Sequence, residues 1–266
     1  MNAVAPILAE LIEQARTETE KRKRVLPVAD LEELIAEQKP TRDFKAAVKR
    51  DHRLSVIAEM KRRTPSAGLL APRYRPGVIA RSYYEGGADA ISVLTHQGGF
   101  GGYADHLHEA RQTTELPMLR KDFVIDEHQV IEARALGADA VLLIVAALET
   151  RRLRELVELA ESLGLDALVE AHDEHELATA LETGTKIVGV NHRDLRTFLV
   201  DLSLTERLRP LVPPDVVYVA ESGVHGPEQA RRMRDAGADA VLVGESLMRA
   251  VDVRWHLHQL AVRDAR

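Results

Sequence analysis

The phrase Gly-Ala-Asp-Ala followed by a β-branched residue occurs three times, beginning at Gly87, Gly137 and Gly237, so the copies stand 50 and 100 residues apart. A fourth, degraded copy reads Gly184-Thr185-Lys186-Ile187-Val188. Each copy follows a helix-like stretch and precedes a short apolar run. A glycine at that point can take the left-handed conformation that ends a helix before the chain enters a buried strand. The phrase therefore reads as a helix-to-strand junction. The spacing leaves room between copies for one more strand and two helices, giving βα steps of about 25 residues.

Eight strands are expected on this reading: Leu54 to Glu59, Ala90 to Leu94, Pro117 to Lys121, Ala140 to Ile144, Ala167 to Glu170, Ile187 to Asn191, Val216 to Glu221 and Ala240 to Val243. Several, such as Val141-Leu142-Leu143-Ile144, are continuously apolar, as befits a parallel sheet covered by helices. No G-x-G-x-x-G fingerprint follows the first strand, so an open dinucleotide-binding sheet is disfavoured. The α/β chain is expected to close into a (β/α)8 TIM barrel. Residues 1–50 stand outside the repeat and read as a helical extension, with Ile7, Leu8, Leu11, Ile12 and Ala15 at helical spacing and Asp30 capping a second helix. Residues 51–266 form the barrel, and the 266 residues read as one domain.

Composition excludes several function classes. The net charge is -6 and aromatic residues are 4%, so nucleic acid is not an expected partner. The basic run Lys21-Arg22-Lys23-Arg24 reads as a solvated helix face. With no cysteine there is no disulfide, thiolate metal site or cysteine nucleophile. The longest apolar run, Ala138 to Leu148, includes Asp139 and is too short to span a bilayer. Glu10 and Glu13 interrupt the apolar positions that a signal peptide would need, so a cytoplasmic location and no membrane partner are expected.

In such a barrel the active site forms at the carboxyl ends of the strands. Polar residues stand at those ends: Glu59 and Lys61 at the first, Lys121 at the third, Glu170 at the fifth, Asn191 and Arg193 at the sixth and Glu221 at the seventh. Glu59 and Lys61 are two apart and so share one side of an extended chain. Ser222 and Gly223 follow the seventh strand, and Gly244 and Glu245 follow the eighth. Loops at these two places are the usual phosphate position. The pairs His106/His108 and His172/His175 lack the i, i+4 spacing of a helical zinc site and read as surface histidines, so no metal is expected.

The segments Ile57 to Arg62, Pro65-Ser66, Ser92 to Thr95, Leu119 to Phe123, Leu168-Val169-Glu170 and Val219 to Gly223 together resemble the indole-3-glycerol-phosphate synthase family. The resemblance runs from the amino-terminal helices to the last strand. It implies a lyase of tryptophan biosynthesis acting on a phosphorylated small molecule, 1-(2-carboxyphenylamino)-1-deoxyribulose 5-phosphate. The products are indole-3-glycerol phosphate, carbon dioxide and water, with no cofactor. It makes Lys121 the general acid of ring closure, its pKa lowered by cationic, partly desolvated surroundings. Glu170 is the base of dehydration. Lys61, beside Glu59, either supplies acid for the departing hydroxyl or holds charge near the phosphate. Asn191, Arg193 and Glu221 match the polar ring around the ribulose hydroxyls and the anthranilate carboxylate, Ser66 lies in a matching motif, and Phe100, Phe123 and Leu142 are candidates for the apolar slot. Ser222, Gly223, Gly244 and Glu245 match the phosphate loops, with the Glu245 side chain turned away from the dianion.

Two departures stand out. His192 occupies a position where the family more often has asparagine, and the stretch from Thr95 to Gly102 is glycine-rich, which predicts a mobile second loop. The nearest rival enzymes are phosphate-binding barrels such as a phosphoribosylanthranilate isomerase or a tryptophan synthase α subunit, and the isomerase is disfavoured because it calls for a cysteine and aspartate pair. The contrasting expectation is a catalytically silent barrel acting as a scaffold or regulatory subunit, which predicts erosion of the reactive positions. The chain is expected to be a monomer or weak homo-oligomer, with possible association with other enzymes of the pathway.

Overall fold

The structure is a computed structural model that describes residues 5–65 and 68–262. Eight parallel strands close into a barrel: β1 (Ser55–Met60), β2 (Ala90–Leu94), β3 (Met118–Lys121), β4 (Ala140–Ile144), β5 (Asp166–Ala171), β6 (Ile187–Asn191), β7 (Val217–Glu221) and β8 (Ala240–Val243). Each strand pairs with its neighbours in sequence, and β8 returns to β1 through the register Ile57 to Leu242. All eight fall where the sequence places them, with ends shifted by one residue at most. Helices follow the strands, α4 (Pro76–Glu85) after β1 and α5 (Ala104–Arg111), α6 (Glu127–Ala135), α7 (Thr150–Ser162), α8 (Glu174–Glu182), α9 (Ser203–Leu208) and α10 (Pro227–Asp235) after the next six. The short α11 (Glu245–Arg249) and then α12 (Val253–Leu260) follow β8.

The strands bury two faces. Inside the barrel, Ile57, Ala90, Leu119, Leu142, Leu168, Ile187, Val219 and Leu242 form one apolar cluster. Between strands and helices, Val56, Ile91, Met118, Val141, Val169, Val188, Tyr218 and Val241 belong to a second. Alternation along each strand generates the two sets.

The repeated phrase does more than end helices. Gly87, Gly137, Gly184 and Gly237 take φ of +82, +86, +81 and +89°. The aspartate of each full copy then accepts a backbone N–H from the preceding strand. Asp89 takes that of Val56 at 2.9 Å, Asp139 that of Met118 at 2.8 Å and Asp239 that of Tyr218 at 2.8 Å. In the degraded copy the job passes to Thr185, whose hydroxyl donates to the Ala167 carbonyl at 2.8 Å. The repeat is thus a set of strand-to-strand clamps at the end of the barrel opposite the mouth.

The extension comprises α1 (Pro6–Val25), α2 (Val28–Glu37) and α3 (Phe44–Val48). Phe44 and Val48 join the inner cluster and close the lower end of the barrel. Two expectations here are corrected. Asp30 does not cap α2, because the helix begins at Val28 behind Pro27 and puts Asp30 in its first turn. The basic run is not wholly a solvated face: Arg22 pairs with Glu132, and Lys23 reaches Asp126 at 2.7 Å, so α1 docks on α6 through charge.

Candidate active site

Strand periodicity sets which side chains reach the mouth. Ile57 points into the barrel, so Glu59 on the same face of β1 does too, and Lys61 continues the series. The same count from Leu119, Leu168, Ile187 and Val219 brings Lys121, Glu170, Asn191 and Glu221 inward. These six side chains line a cleft of about 180 Å³ together with Phe100, Phe123, Leu142, Arg193, Ser222, Gly223, Gly244 and Glu245. Ser66 lies outside the described residues.

Lys121 is the centre of the charged floor. Its Nζ donates to Glu170 Oε2 at 3.1 Å and to Glu221 Oε2 at 2.9 Å. Asn191 Nδ2 donates to the other oxygen of Glu170 at 3.2 Å. Lys61 is hydrogen-bonded to Glu59. All three carboxyls are buried, so their charges are held by lysines and not by water.

Two glycines make this crowding possible. A Cβ on Gly189 would stand 2.2 Å from Glu221 Oε1, and one on Gly244 would stand 2.3 Å from Glu59 Oε1 and 2.9 Å from Lys61 Nζ. The carboxylates lean across neighbouring strands into space that any side chain would fill.

The electrostatics correct one expectation. The surroundings of Lys121 are anionic, not cationic. Burial opposes its charge, but Glu170, Glu221 and Glu59 outweigh burial and hold its pKa above the ordinary lysine value. Burial likewise opposes the charge on Glu170, yet Lys121, His172 and Asn191 bring it below the usual carboxylate range. Glu221 goes the other way: burial and the neighbouring Glu170 charge outweigh Lys121 and push it up to about 8. Two carboxyls on one lysine are therefore driven apart.

The apolar wall stands beside this floor. The rings of Phe100 and Phe123 lie 6.3 Å apart, and Leu94, Leu142, Ile144 and Leu242 complete the surface. The opposite side is small and polar. Ser222 and Gly223 take φ of +65 and +82° in succession, and Glu245 turns its carboxylate along α11 to Arg249 at 3.2 Å. A flat aromatic ring fits the first side and a compact anion the second.

A sequence profile described as indole-3-glycerol phosphate synthase matches residues 8–260 of the chain. The chain belongs to the indole-3-glycerol phosphate synthase family. It is 56% identical to indole-3-glycerol phosphate synthase 2 of Streptomyces coelicolor, across 92% of this chain and 95% of that one. It is 44% identical to the indole-3-glycerol phosphate synthase of a Dehalococcoides mccartyi strain, across 96% and 99%. Among solved structures, a thiamine phosphate pyrophosphorylase from Pyrococcus furiosus superposes with a TM-score of 0.60 at 21% identity, covering 78% of this chain and 93% of that one. That likeness is one of fold.

Within this member of the indole-3-glycerol phosphate synthase family, two histidines are held by partners, and the first differs from expectation. His172 is not a surface residue. It is largely buried, with Nε2 3.2 Å from Glu170 Oε1. The sequence shows it two residues past Glu170, and that spacing on a strand was the signal available. His192 is buried beneath the mouth. Its Nδ1–H donates to the Ser222 carbonyl at 2.9 Å and its Nε2 lies 2.7 Å from the Thr205 hydroxyl. The glycine-rich second loop also has a packing reason, since a Cβ on Gly102 would meet the Leu94 carbonyl at 2.4 Å. Leu195 and His225 line the cleft as well and were not anticipated. Among the described residues no group of three histidine, aspartate or glutamate side chains is placed to hold a metal ion, and no helix is long and apolar enough to cross a membrane.

Proposed function

We infer that this chain converts 1-(2-carboxyphenylamino)-1-deoxyribulose 5-phosphate to indole-3-glycerol phosphate, carbon dioxide and water. Family membership supplies the reaction, and the observation that carries the assignment to this site is Lys121 held between Glu170 and Glu221 at the barrel mouth.

The aromatic carbon that bears the carboxylate attacks the ketone carbon, and the ketone oxygen gains a proton. Lys121 supplies it. An ammonium with a raised pKa is a weak acid toward a ketone but a ready donor to the alkoxide that develops as the new bond forms, and its charge stabilises that oxygen throughout. Loss of carbon dioxide then restores the aromatic ring. In the last step the neighbouring carbon gives up a proton and the new hydroxyl leaves as water with a proton from the ammonium of Lys61. Glu170, kept ionised by its neighbours, is the base that accepts it.

Lys61 and Glu59 stand beside Gly244, which supports charge holding near the phosphate for Lys61 besides its acid role. Ser222, Gly223, Gly244 and Glu245 are assigned to the phosphate, with backbone N–H groups as donors. Asn191, Arg193 and Glu221 are assigned to the hydroxyls and the carboxylate, and Phe100, Phe123 and Leu142 to the ring. The reaction as written needs no cofactor. The proposed setting is the cytoplasm, as a monomer or weak homo-oligomer, with association with other tryptophan-pathway enzymes in keeping with the family assignment.

The test is direct: add the carboxyphenylamino substrate and follow indole fluorescence. The wild-type chain is expected to turn over, and Lys121→Ala and Glu170→Ala to lose about 10² to 10⁴-fold each while remaining folded at the assay temperature. A folded wild-type protein with no signal would overturn the function and revive the silent scaffold; wild-type turnover in either variant would overturn the roles.

A further inference from the structure

Glu170 and Glu221 share Lys121, and the reaction proposed above takes a proton from that lysine before it needs a base. At that moment both buried carboxyls lose the same cation. Burial, which already favours the neutral form of Glu221, then drives Glu170 the same way, and a protonated Glu170 cannot act as base. Asn191 donates to Glu170 and not to Glu221, and the two carboxyls differ in their cations as well. Among the described residues Glu221 is paired with Lys121 alone, whereas Glu170 has a second basic neighbour in His172, 3.2 Å from its Oε1.

The imidazole is fixed from behind. Glu176 Oε2, on the first turn of α8, accepts both the His172 backbone N–H at 2.8 Å and the ring Nδ1–H at 3.0 Å. Nε2 faces Glu170 off the line of a hydrogen bond, so the contact is an ion pair. The groups facing Glu170 are Lys121 from β3, His172 just past the end of β5, Asn191 from β6 and Glu221 from β7. The turn Val145–Ala147, which packs on β5 and α8, brings only Val145, Ala146 and Ala147.

We propose that His172, held by Glu176, is a positioning residue that keeps Glu170 ionised through the interval in which Lys121 has given up its proton. The row Glu176–His172–Glu170 is a charge reservoir behind the base, and the proton that returns to the cluster is directed to Lys121. In support, burial disfavours the imidazolium but Glu170 and Glu176 outweigh it, raising His172 to about 10, so the ring is charged at neutral pH.

The inference rests on the synthase reading, and the experiment separates the two. Single-turnover rates of wild type and His172→Gln are measured against pH with the carboxyphenylamino substrate. A wild type without turnover would remove the reaction itself. With an active wild type, the acid limb of the variant is expected at least one pH unit higher, about a tenfold rate loss on that limb, converging on the wild type at high pH. Acid limbs that coincide, or a loss uniform in pH, overturn the proposal. Nitrogen-15 NMR of wild-type His172 gives a readout that needs no variant: a doubly protonated ring at pH about 8 is expected, and a neutral ring overturns the proposal.

Discussion

A glutamate such as Glu221 shows how one side chain carries function at the expense of stability. Its ordinary value is 4.5 and its folded value about 8, so the folded state binds the proton more tightly than the unfolded one. The stabilisation is fully present below 4.5 and is lost as pH rises through about 8. Glu221→Gln, which cannot ionise, is therefore expected to gain stability over the wild type progressively through that window. Urea unfolding at several pH values checks this, and parallel curves for the two proteins would refute it. His192 offers a second test at the same scale. Its ring holds the Ser222 carbonyl, so His192→Asn is expected to raise KM about fivefold, the worth of one hydrogen bond of about 1 kcal/mol, with kcat near wild type. A fall in kcat at unchanged KM would show that the ring serves the chemistry instead. Residue identity was readable for Glu59, Lys121, Glu170 and Glu221 because strand parity alone points them inward. It was not readable for His172 and His192: a buried histidine in partnership looks in sequence like an exposed one among acids.

Elements were legible to the extent that their signals are local. The strands stand out as apolar runs between junction glycines, and they fall within a residue of expectation. The clamps did not stand out, because Asp139 serves Met118, Arg42 and Arg111, partners that lie 21 to 97 residues away. Asp30 misled because Ser, Thr, Asp and Asn before an apolar run are the usual cap, while here proline and valine start the helix. Asp139→Ala strips acceptors from the Met118 and Arg42 N–H groups, the first of them buried. Each unsatisfied buried donor costs about 1 to 3 kcal/mol, so a loss of several kcal/mol is expected in denaturant unfolding, with kcat at ambient temperature unchanged. Thr185→Val, which removes the hydroxyl bond to the Ala167 carbonyl and the longer contacts to the Ile187 backbone, is expected to cost less, about 1 to 2 kcal/mol. Equal losses would mean that the aspartate clamps are not what distinguishes the full copies.

The whole molecule separates two tasks along the barrel axis. Aspartates and the α3 plug fasten the lower end, while the upper end collects lysines and carboxyls that strain against burial. Among the described residues, the Asp239 clamp has no side-chain partner in common with Lys121 or Glu170. Substitutions at opposite ends should therefore act independently, because coupling needs contact or a common network. Asp239→Ala combined with Glu170→Gln is expected to change unfolding free energy by the sum of the single changes, to within about 0.5 kcal/mol. Lys121→Met combined with Glu170→Gln should not: Lys121→Met alone leaves two carboxyls without their shared cation, and Glu170→Gln relieves one of them, so the pair is expected to be less damaging than the sum. A double-mutant cycle in urea measures both. Strong coupling across the barrel would mean that the mouth is tensioned by the clamps, and catalysis could then not be altered without touching the foundations of the fold.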